Sequence, residues 1–167
     1  MNSPKSQKEK KSKKVVAVSG GFDPIHIGHV RMFQEAKALG DELVVILNND
    51  NWLMKKKGHV FMSQEERKEI IEAIAGVDRV MFTSHPPEPS DMSVCVMLRE
   101  IRPDIFANGG DRKPDGDPVP EVMLCAELGI EMVYNVGRGG KVQSSSWLVN
   151  KYRKAKGAKD AKGRSKK

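Results

Sequence analysis

The chain has 167 residues, of which 38% are hydrophobic, and this suits one domain with a single hydrophobic core. No stretch approaches the roughly 20 consecutive apolar residues that span a bilayer, so we expect no membrane partner. The two cysteines, Cys95 and Cys125, have no neighbours at metal-ligand spacing and are too few for a disulfide framework. We therefore predict a cytoplasmic protein with free thiols.

The positive charge of the chain is concentrated at its two ends. Residues 1–14 hold a net charge of +5 and residues 151–167 hold +8, which leaves −6 of the total of +7 for residues 15–150. Segments this rich in Lys, Ser and Gly bury too little apolar surface to offset the entropy of ordering them. We predict disordered basic tails at 1–13 and 154–167 around one domain at 14–153, and we expect nucleic-acid contacts, if any, only through the tails.

The first half of the domain alternates between strands and helices. A β-branched run at 15–18 predicts a strand, and 27–39 follows as a helix because its apolar positions are spaced by threes. The continuous apolar run at 43–47 predicts a strand that is covered on both faces. Ser63 and Glu66 form a capping box, which predicts the start of the next helix.

The second half continues the alternation up to a final helix that begins at a serine cluster. The predicted strands are 77–82, 104–107 and 130–136, and the predicted helices are 91–100, 119–128 and a last one from 144–146 onward. This order predicts an α/β, Rossmann-like fold: a parallel five-stranded sheet with helices on both faces. Glycine-rich turns at 20–21, 109–110 and 137–140 each follow a strand, so they should meet at the carboxyl edge of the sheet.

The segment from Gly20 to His29 carries the main chemical signal. His26 and His29 lie three residues apart where a loop enters a helix, so their side chains should project to the same side. Gly28 leaves that side open, and the start of the helix adds unpaired amides and a partial positive charge. Gly20 and Gly21 add amides with no Cβ in the way. Together these features predict a phosphate-binding site.

Such a site can hold a triphosphate while a second phosphate group attacks it. A phosphate monoester is largely ionised at pH 7, so the attack needs no side-chain base. The histidine pair on its own also fits a solvated surface pair or half of a metal site. Because the chain has no Gly-x-Gly-x-x-Gly after the first strand and no Walker A loop, dinucleotide and P-loop sites are disfavoured.

The run from Gly20 to His29 resembles the signature of the cytidylyltransferase-like nucleotidyltransferase superfamily, which ends in His-x-Gly-His, and the resemblance extends over roughly residues 15–150. The sequence is similar to the bacterial glycerol-3-phosphate cytidylyltransferases and to the adenylyltransferase domain that makes ADP-heptose. Further matching positions are 36–45, Asp50 at the end of the second strand, Arg67 in a Glu-x-Arg element, 102–104, 109–114 and 144–146.

The resemblance implies roles for the matching residues. His26 and His29 would contact the triphosphate and stabilise the transition state, with Lys57 as a third catalytic residue. The implied nucleotide-binding residues are Gly20, Gly21, Phe22, Asp23, Gly28, Asp111, Arg138, Ser144, Ser145 and Ser146, and the implied acceptor-binding residues are Asp50, Lys55, Lys56 and Arg67. Asp23 would hold the shape of its loop or assist a Mg²⁺ ion, and no residue is implied as a direct metal ligand.

The implied reaction transfers CMP or AMP from a nucleoside triphosphate to a sugar- or polyol-phosphate and releases pyrophosphate, with Mg²⁺ as cofactor. We also expect a homodimer. Trp52 could pack over the acceptor pocket or make a core or dimer contact. The alternative function is a catalytically silent nucleotide-binding sensor or accessory subunit, since one fold can serve several functions.

Overall fold

The computed structural model describes residues 12–110, 120–137 and 143–164. They contain one sheet of five strands in the order β3-β2-β1-β4-β5, and every pair of neighbours is parallel. The strands are β1 Val15–Gly20, β2 Glu42–Leu47, β3 Arg79–Phe82, β4 Ile105–Gly109 and β5 Glu131–Val136. The α/β, Rossmann-like architecture that the sequence predicts is therefore confirmed.

Helices connect the strands and continue after the last one. They are α1 Ile27–Lys37, α2 Asp50–Lys57, α3 Gln64–Glu72, α4 Cys95–Ile101, α5 Pro120–Leu128 and α6 Ser145–Arg164. The predicted capping box at the start of α3 is present, because the Ser63 side chain accepts from the Glu66 amide and the Glu66 carboxylate accepts from the Ser63 amide. Among these helices none is long and apolar enough to cross a bilayer.

The hydrophobic core has two layers, one on each face of the sheet. Val16 and Val18 of β1 point into the layer that α1 and α3 cover, while Ala17 points into the layer that α4 and α5 cover. This period of two is the normal alternation along a strand. It explains why the run 43–47 is apolar at every position, since both faces of β2 are buried.

Three parts of the chain differ from the sequence prediction. The helix predicted at 91–100 begins only at Cys95, since residues 91–94 are not helical. Helix α2 was not predicted: Leu53 is its only buried residue and three lysines form its last turn, so it has no apolar stripe to recognise. Asp50, predicted to end the second strand, is the first residue of α2, after its N-cap Asn49. Helix α6 extends to Arg164, where the sequence predicts a disordered tail from 154, and its Lys and Ala residues favour helix intrinsically. The domain limit at 153 stays a prediction.

Candidate active site

The first turn of α1 fixes the orientation of both predicted histidines. His26 is the N-cap, and its Nδ1 accepts a hydrogen bond from the Gly28 amide at 3.1 Å. The Nδ1 of His29 accepts from the His26 amide at 3.3 Å, and the two rings stack with centroids 3.7 Å apart. Because each Nδ1 accepts a backbone proton, each neutral ring carries its own proton on Nε2.

The surroundings of the two rings keep them uncharged. The pKa of His29 is lowered to about 3, mainly by burial and then by the nearby His26 and Lys57. Burial and then Lys57 also lower the pKa of His26. At neutral pH the pair therefore offers two Nε2–H donors rather than two cations.

Both histidines line a cavity of about 400 Å³ at the carboxyl edge of the sheet. The predicted site residues that it brings together are Gly20, Gly21, Phe22, His26, Gly28, His29, Lys57, Ser144, Ser145 and Ser146. Gly109, Gly110 and Gly137 line the same cavity, so the prediction that the glycine-rich turns converge is confirmed for the described part of those turns. The cavity lies beside β1, where the sheet order reverses direction, which is the usual place for a ligand in this architecture.

The packing of the loop between β1 and α1 requires a glycine at position 20. A Cβ at this position would lie 2.8 Å from Cζ of Phe22. The Phe22 ring cannot easily move away, because it packs edge-on against His29 at 4.9 Å and against Phe33 at 5.0 Å between ring centroids. The glycine therefore leaves room for Phe22 to pack against His29.

Asp23 connects the loop before α1 with the segment that follows α2. Its side chain is 1% exposed, and its two carboxylate oxygens accept from the amides of Phe61 and Met62, each at 2.7 Å. Lys57 donates to the Asp23 carbonyl at 3.0 Å. These contacts support the predicted role of Asp23 in holding the shape of the loop.

Lys57 keeps a partly buried ammonium group at the cavity. Burial is the main cause that lowers its pKa, Asp23 opposes this shift, and Arg67 adds to it. A partly desolvated cation in a cavity with imidazole and hydroxyl donors suits a phosphate ligand.

Arg67, predicted to bind the acceptor, does not line the cavity. Its side chain is 0% exposed, and it donates to the carbonyls of Gly21 at 2.6 Å, Asn48 at 2.8 Å and Met62 at 3.0 Å. It also pairs with Asp50 at 2.6 Å. Gly21 and Asn48 directly follow β1 and β2, Asp50 is the first residue of α2, and Met62 lies before α3. The contacts of Arg67 therefore hold together the segments that surround the cavity.

The remaining predicted residues occupy different surroundings. Lys55 is half-exposed and pairs with Glu88 at 2.8 Å, Lys56 is exposed, and neither lines the cavity. Asp111 and Arg138 lie outside the described residues. The Ser145 hydroxyl donates to the Pro24 carbonyl at 2.8 Å, which ties the start of α6 to the loop before α1.

Some residues that line the cavity were not predicted as site residues from the sequence, and Trp52 was given more than one possible location. Trp52 lines the cavity, and its indole N–H donates to the Met92 carbonyl at 2.9 Å. The lining residues that were not predicted as site residues are Ser19, Met32, Trp52, Asn108, Gly109, Gly110, Val136, Gly137 and Gln143. Asn108 and Val136 lie at the carboxyl ends of β4 and β5, and Gly110 and Gly137 directly follow these strands. The rule that ligands bind at the carboxyl ends of parallel strands predicted the meeting of the glycine-rich turns, and it was also the signal for Asn108 and Val136.

The described residues favour an anion over a metal ion held by the protein alone. No group of three His, Cys, Asp or Glu side chains within 12–110, 120–137 and 143–164 could hold a metal. The described cavity lining contains imidazoles, hydroxyls, amides and one lysine, whereas Mg²⁺ prefers carboxylate, phosphate and water oxygens. A Mg²⁺ ion would fit here only with phosphate oxygens among its ligands.

Comparisons with known proteins identify the family and match the fold. The sequence pattern of the cytidylyltransferase-like family matches residues 17–131. An FAD synthase from Pyrococcus abyssi is 34% identical over 119 residues, which are 71% of this chain and 77% of that protein. A bifunctional protein HldE from Desulfatibacillum aliphaticivorans is 33% identical over 109 residues, 64% of this chain but 21% of that protein. A lipopolysaccharide core biosynthesis protein from Thermoplasma volcanium has a similar structure, with a TM-score of 0.60 and 26% identity over 77% of this chain and all of that one.

Proposed function

The chain belongs to the cytidylyltransferase-like family, and from this premise we propose that it transfers AMP from ATP to a phosphorylated small molecule and releases pyrophosphate. It is a nucleotidyltransferase, as the family and the FAD synthases that it resembles indicate. The observation that carries the proposal is the pair of neutral imidazoles, each with its remaining N–H available to a cavity with the amides, hydroxyls and lysine that suit a polyphosphate.

The names of the relatives support AMP as the transferred group. FAD is a dinucleotide in which AMP is joined to a flavin phosphate, so an FAD synthase must join these two parts. Among the proteins similar to this chain, the FAD synthases of Pyrococcus abyssi and Thermococcus sibiricus are each covered over more than three quarters of their length, at 77% and 81%. This favours ATP over CTP, the two donors that the sequence left open.

The histidines are placed to stabilise the charge that develops as the triphosphate reacts. Two neutral N–H donors can bind phosphate oxygens without losing a proton, and their Nδ1 atoms are already anchored to the backbone. Donors that are oriented in advance do not have to reorganise in the transition state, which is the main source of such stabilisation. His26 and His29 therefore act as preorganised donors to the triphosphate.

The attacking group needs no base from the protein. An oxygen of the acceptor's ionised phosphate forms the new bond to the α-phosphorus, and the bond from the α-phosphorus to the bridging oxygen breaks with its electron pair leaving on pyrophosphate. What the chain must supply is alignment and neutralisation of two anions. Lys57, on the α2 side of the cavity, supplies a cation for this purpose.

Mg²⁺ is the cofactor that we propose with the triphosphate. When bound, it would neutralise charge on the phosphate oxygens. The described residues would hold the nucleotide around it, with Gly20, Gly21 and the serines at 144–146 offering amides and hydroxyls. The homodimer remains a prediction.

The test is a measurement of pyrophosphate release with ATP or CTP, Mg²⁺ and a panel of phosphorylated acceptors that includes FMN, glycerol 3-phosphate and a sugar phosphate. We expect release with ATP that depends on an acceptor. Triphosphate binding without release under any acceptor would contradict the proposal and favour the sensor. Release with CTP alone would keep the reaction class and overturn the choice of donor.

A further inference from the structure

The two sides of the cavity differ in the groups that they offer to a ligand. On the β4–β5 side the lining includes Asn108, Gly109, Gly110 and Gly137, so at the three glycines this wall consists of main chain without side chains. Main-chain groups of this kind can hydrogen-bond the edge of a nucleotide base. On the opposite side, which follows β2, helix α2 contributes Trp52 and Lys57 to the lining.

Trp52 is held in one orientation by a hydrogen bond and by packing against Gly21. Its only polar atom, Nε1, donates to the Met92 carbonyl at 2.9 Å. A Cβ at Gly21 would lie 3.5 Å from Cζ3 of Trp52, so the indole rests against the phosphate-binding loop. With its N–H bound elsewhere, the indole presents only carbon surface to the cavity.

The segment 84–93 fixes the helix that carries Trp52. The Asn51 side chain donates to the His85 carbonyl at 2.9 Å, and Lys55 pairs with Glu88 at 2.8 Å. The hydrogen bond from the Trp52 indole N–H to the Met92 carbonyl is a third contact between α2 and this segment. A rigid aromatic wall loses little conformational entropy when a ligand packs on it, which makes it effective in recognition.

We propose that Trp52 is a specificity-determining residue that selects an acceptor with a planar aromatic ring, and that Lys57 binds the phosphate of the same acceptor. This inference rests on the proposed function. The phosphate of such an acceptor would contact the Lys57 cation, and the rest of the acceptor would contact the face of the Trp52 indole. A flat aromatic ring packs well on this face. Hydroxyl groups would lose their hydrogen bonds to water there without gaining a new partner. A flavin phosphate fits this description better than a polyol phosphate.

The test compares the variants Trp52→Ala, Trp52→Phe and Met54→Ala with the wild type. Met54 is the matched control, because it lies on the same helix, is 51% exposed and does not line the cavity. Equilibrium binding of FMN is followed by quenching of flavin fluorescence, and KM values for FMN and ATP are taken from pyrophosphate release. Thermal unfolding of each variant checks that it is folded.

We expect Trp52→Ala to weaken FMN binding about 10-fold to 100-fold, the range found for loss of an aromatic stacking partner. Its KM for ATP should change less than about 2-fold, Trp52→Phe should retain most of the affinity because it keeps a ring, and Met54→Ala should resemble the wild type. The inference is overturned if the wild type does not bind FMN, if it binds glycerol 3-phosphate more tightly than FMN, or if Trp52→Ala affects ATP rather than FMN. FMN binding that depends on Trp52 without pyrophosphate release would refute the proposed reaction and leave the aromatic site intact.

Discussion

Helices α1 and α2 both supply residues to the same cavity, but different kinds of contact hold them in place. The start of α1 is organised by hydrogen bonds that span two or three residues, between His26, Gly28 and His29. Helix α2 is held by partners far away in the sequence, such as Arg67 on Asp50 and the Met92 carbonyl on Trp52. The histidine motif can be recognised in the sequence because its contacts are local. The part of the cavity lined by α2 cannot be recognised, because its contacts join residues that are far apart in the chain.

We expect the largest effect from Arg67→Ala, which removes the long-range contacts that hold α2 in place. The change leaves three backbone carbonyls without their buried donor and removes the partner of Asp50, whose side chain is 35% exposed. Because a buried acceptor left without its partner typically costs about 1–3 kcal/mol, we expect a total loss of about 3 kcal/mol or more. Urea unfolding measures the free energy of unfolding of the variant and of Arg67→Lys, which keeps the charge without the planar fork. A loss below about 1 kcal/mol for the alanine variant would show that α2 does not depend on this residue.

The substitution His26→Ala tests the start of α1, which is organised by local hydrogen bonds. Loss of one preorganised donor to a developing negative charge typically lowers kcat about 10²-fold to 10³-fold. Pyrophosphate release gives kcat, and unfolding in urea gives stability, which should change much less than in the Arg67 variant because His26 is only partly buried. Near-normal turnover would contradict the assigned role, and we expect a similar loss for His29→Ala.

A matched pair of lysines on α2 tests which part of that helix takes part in the chemistry. Lys57→Met should lower kcat/KM for the acceptor about 10-fold to 100-fold, because a charge-assisted hydrogen bond contributes about 1.5–3 kcal/mol. Lys56→Met should leave it within about 2-fold, since Lys56 is exposed and does not line the cavity. Equal effects of the two substitutions on acceptor kinetics would remove the distinction between them.

The last prediction concerns the pH dependence of stability at the start of α1. The pKa of His29 in the folded protein is lowered to about 3 from 6.5, so between these values the unfolded chain binds a proton that the folded protein does not. Stability from this group is therefore present above pH 6.5 and is lost as the pH falls, with a slope of up to about 1.4 kcal/mol per pH unit. Unfolding free energies from pH 4 to 7 should show a shallower slope for His29→Asn, and parallel curves would refute the prediction.

Much of the fold and half of the site follow from short-range patterns. The strands are apolar runs, the capping box at Ser63 lies within three residues, and the histidine motif contains its own supporting bonds. Local patterns such as these are readable because the interacting groups are neighbours in the sequence. Arg67 shows where this fails: its position was recognised, but its acceptor-binding role was inferred without knowledge that its side chain is completely buried.

The sequence by itself therefore determined the parallel sheet, the edge of the sheet that holds the cavity and the pair of histidines at the start of α1. Only the tertiary structure decided that Lys57, of three consecutive lysines, lines the cavity. It also decided that Trp52 lies across the cavity from the β4–β5 side, and that the buried side chain of Arg67 holds the surrounding loops together. The physical reason is that these positions depend on contacts 17 to 46 residues apart in the chain, such as Arg67 with Asp50 and with Gly21, and on burial, which no local pattern encodes.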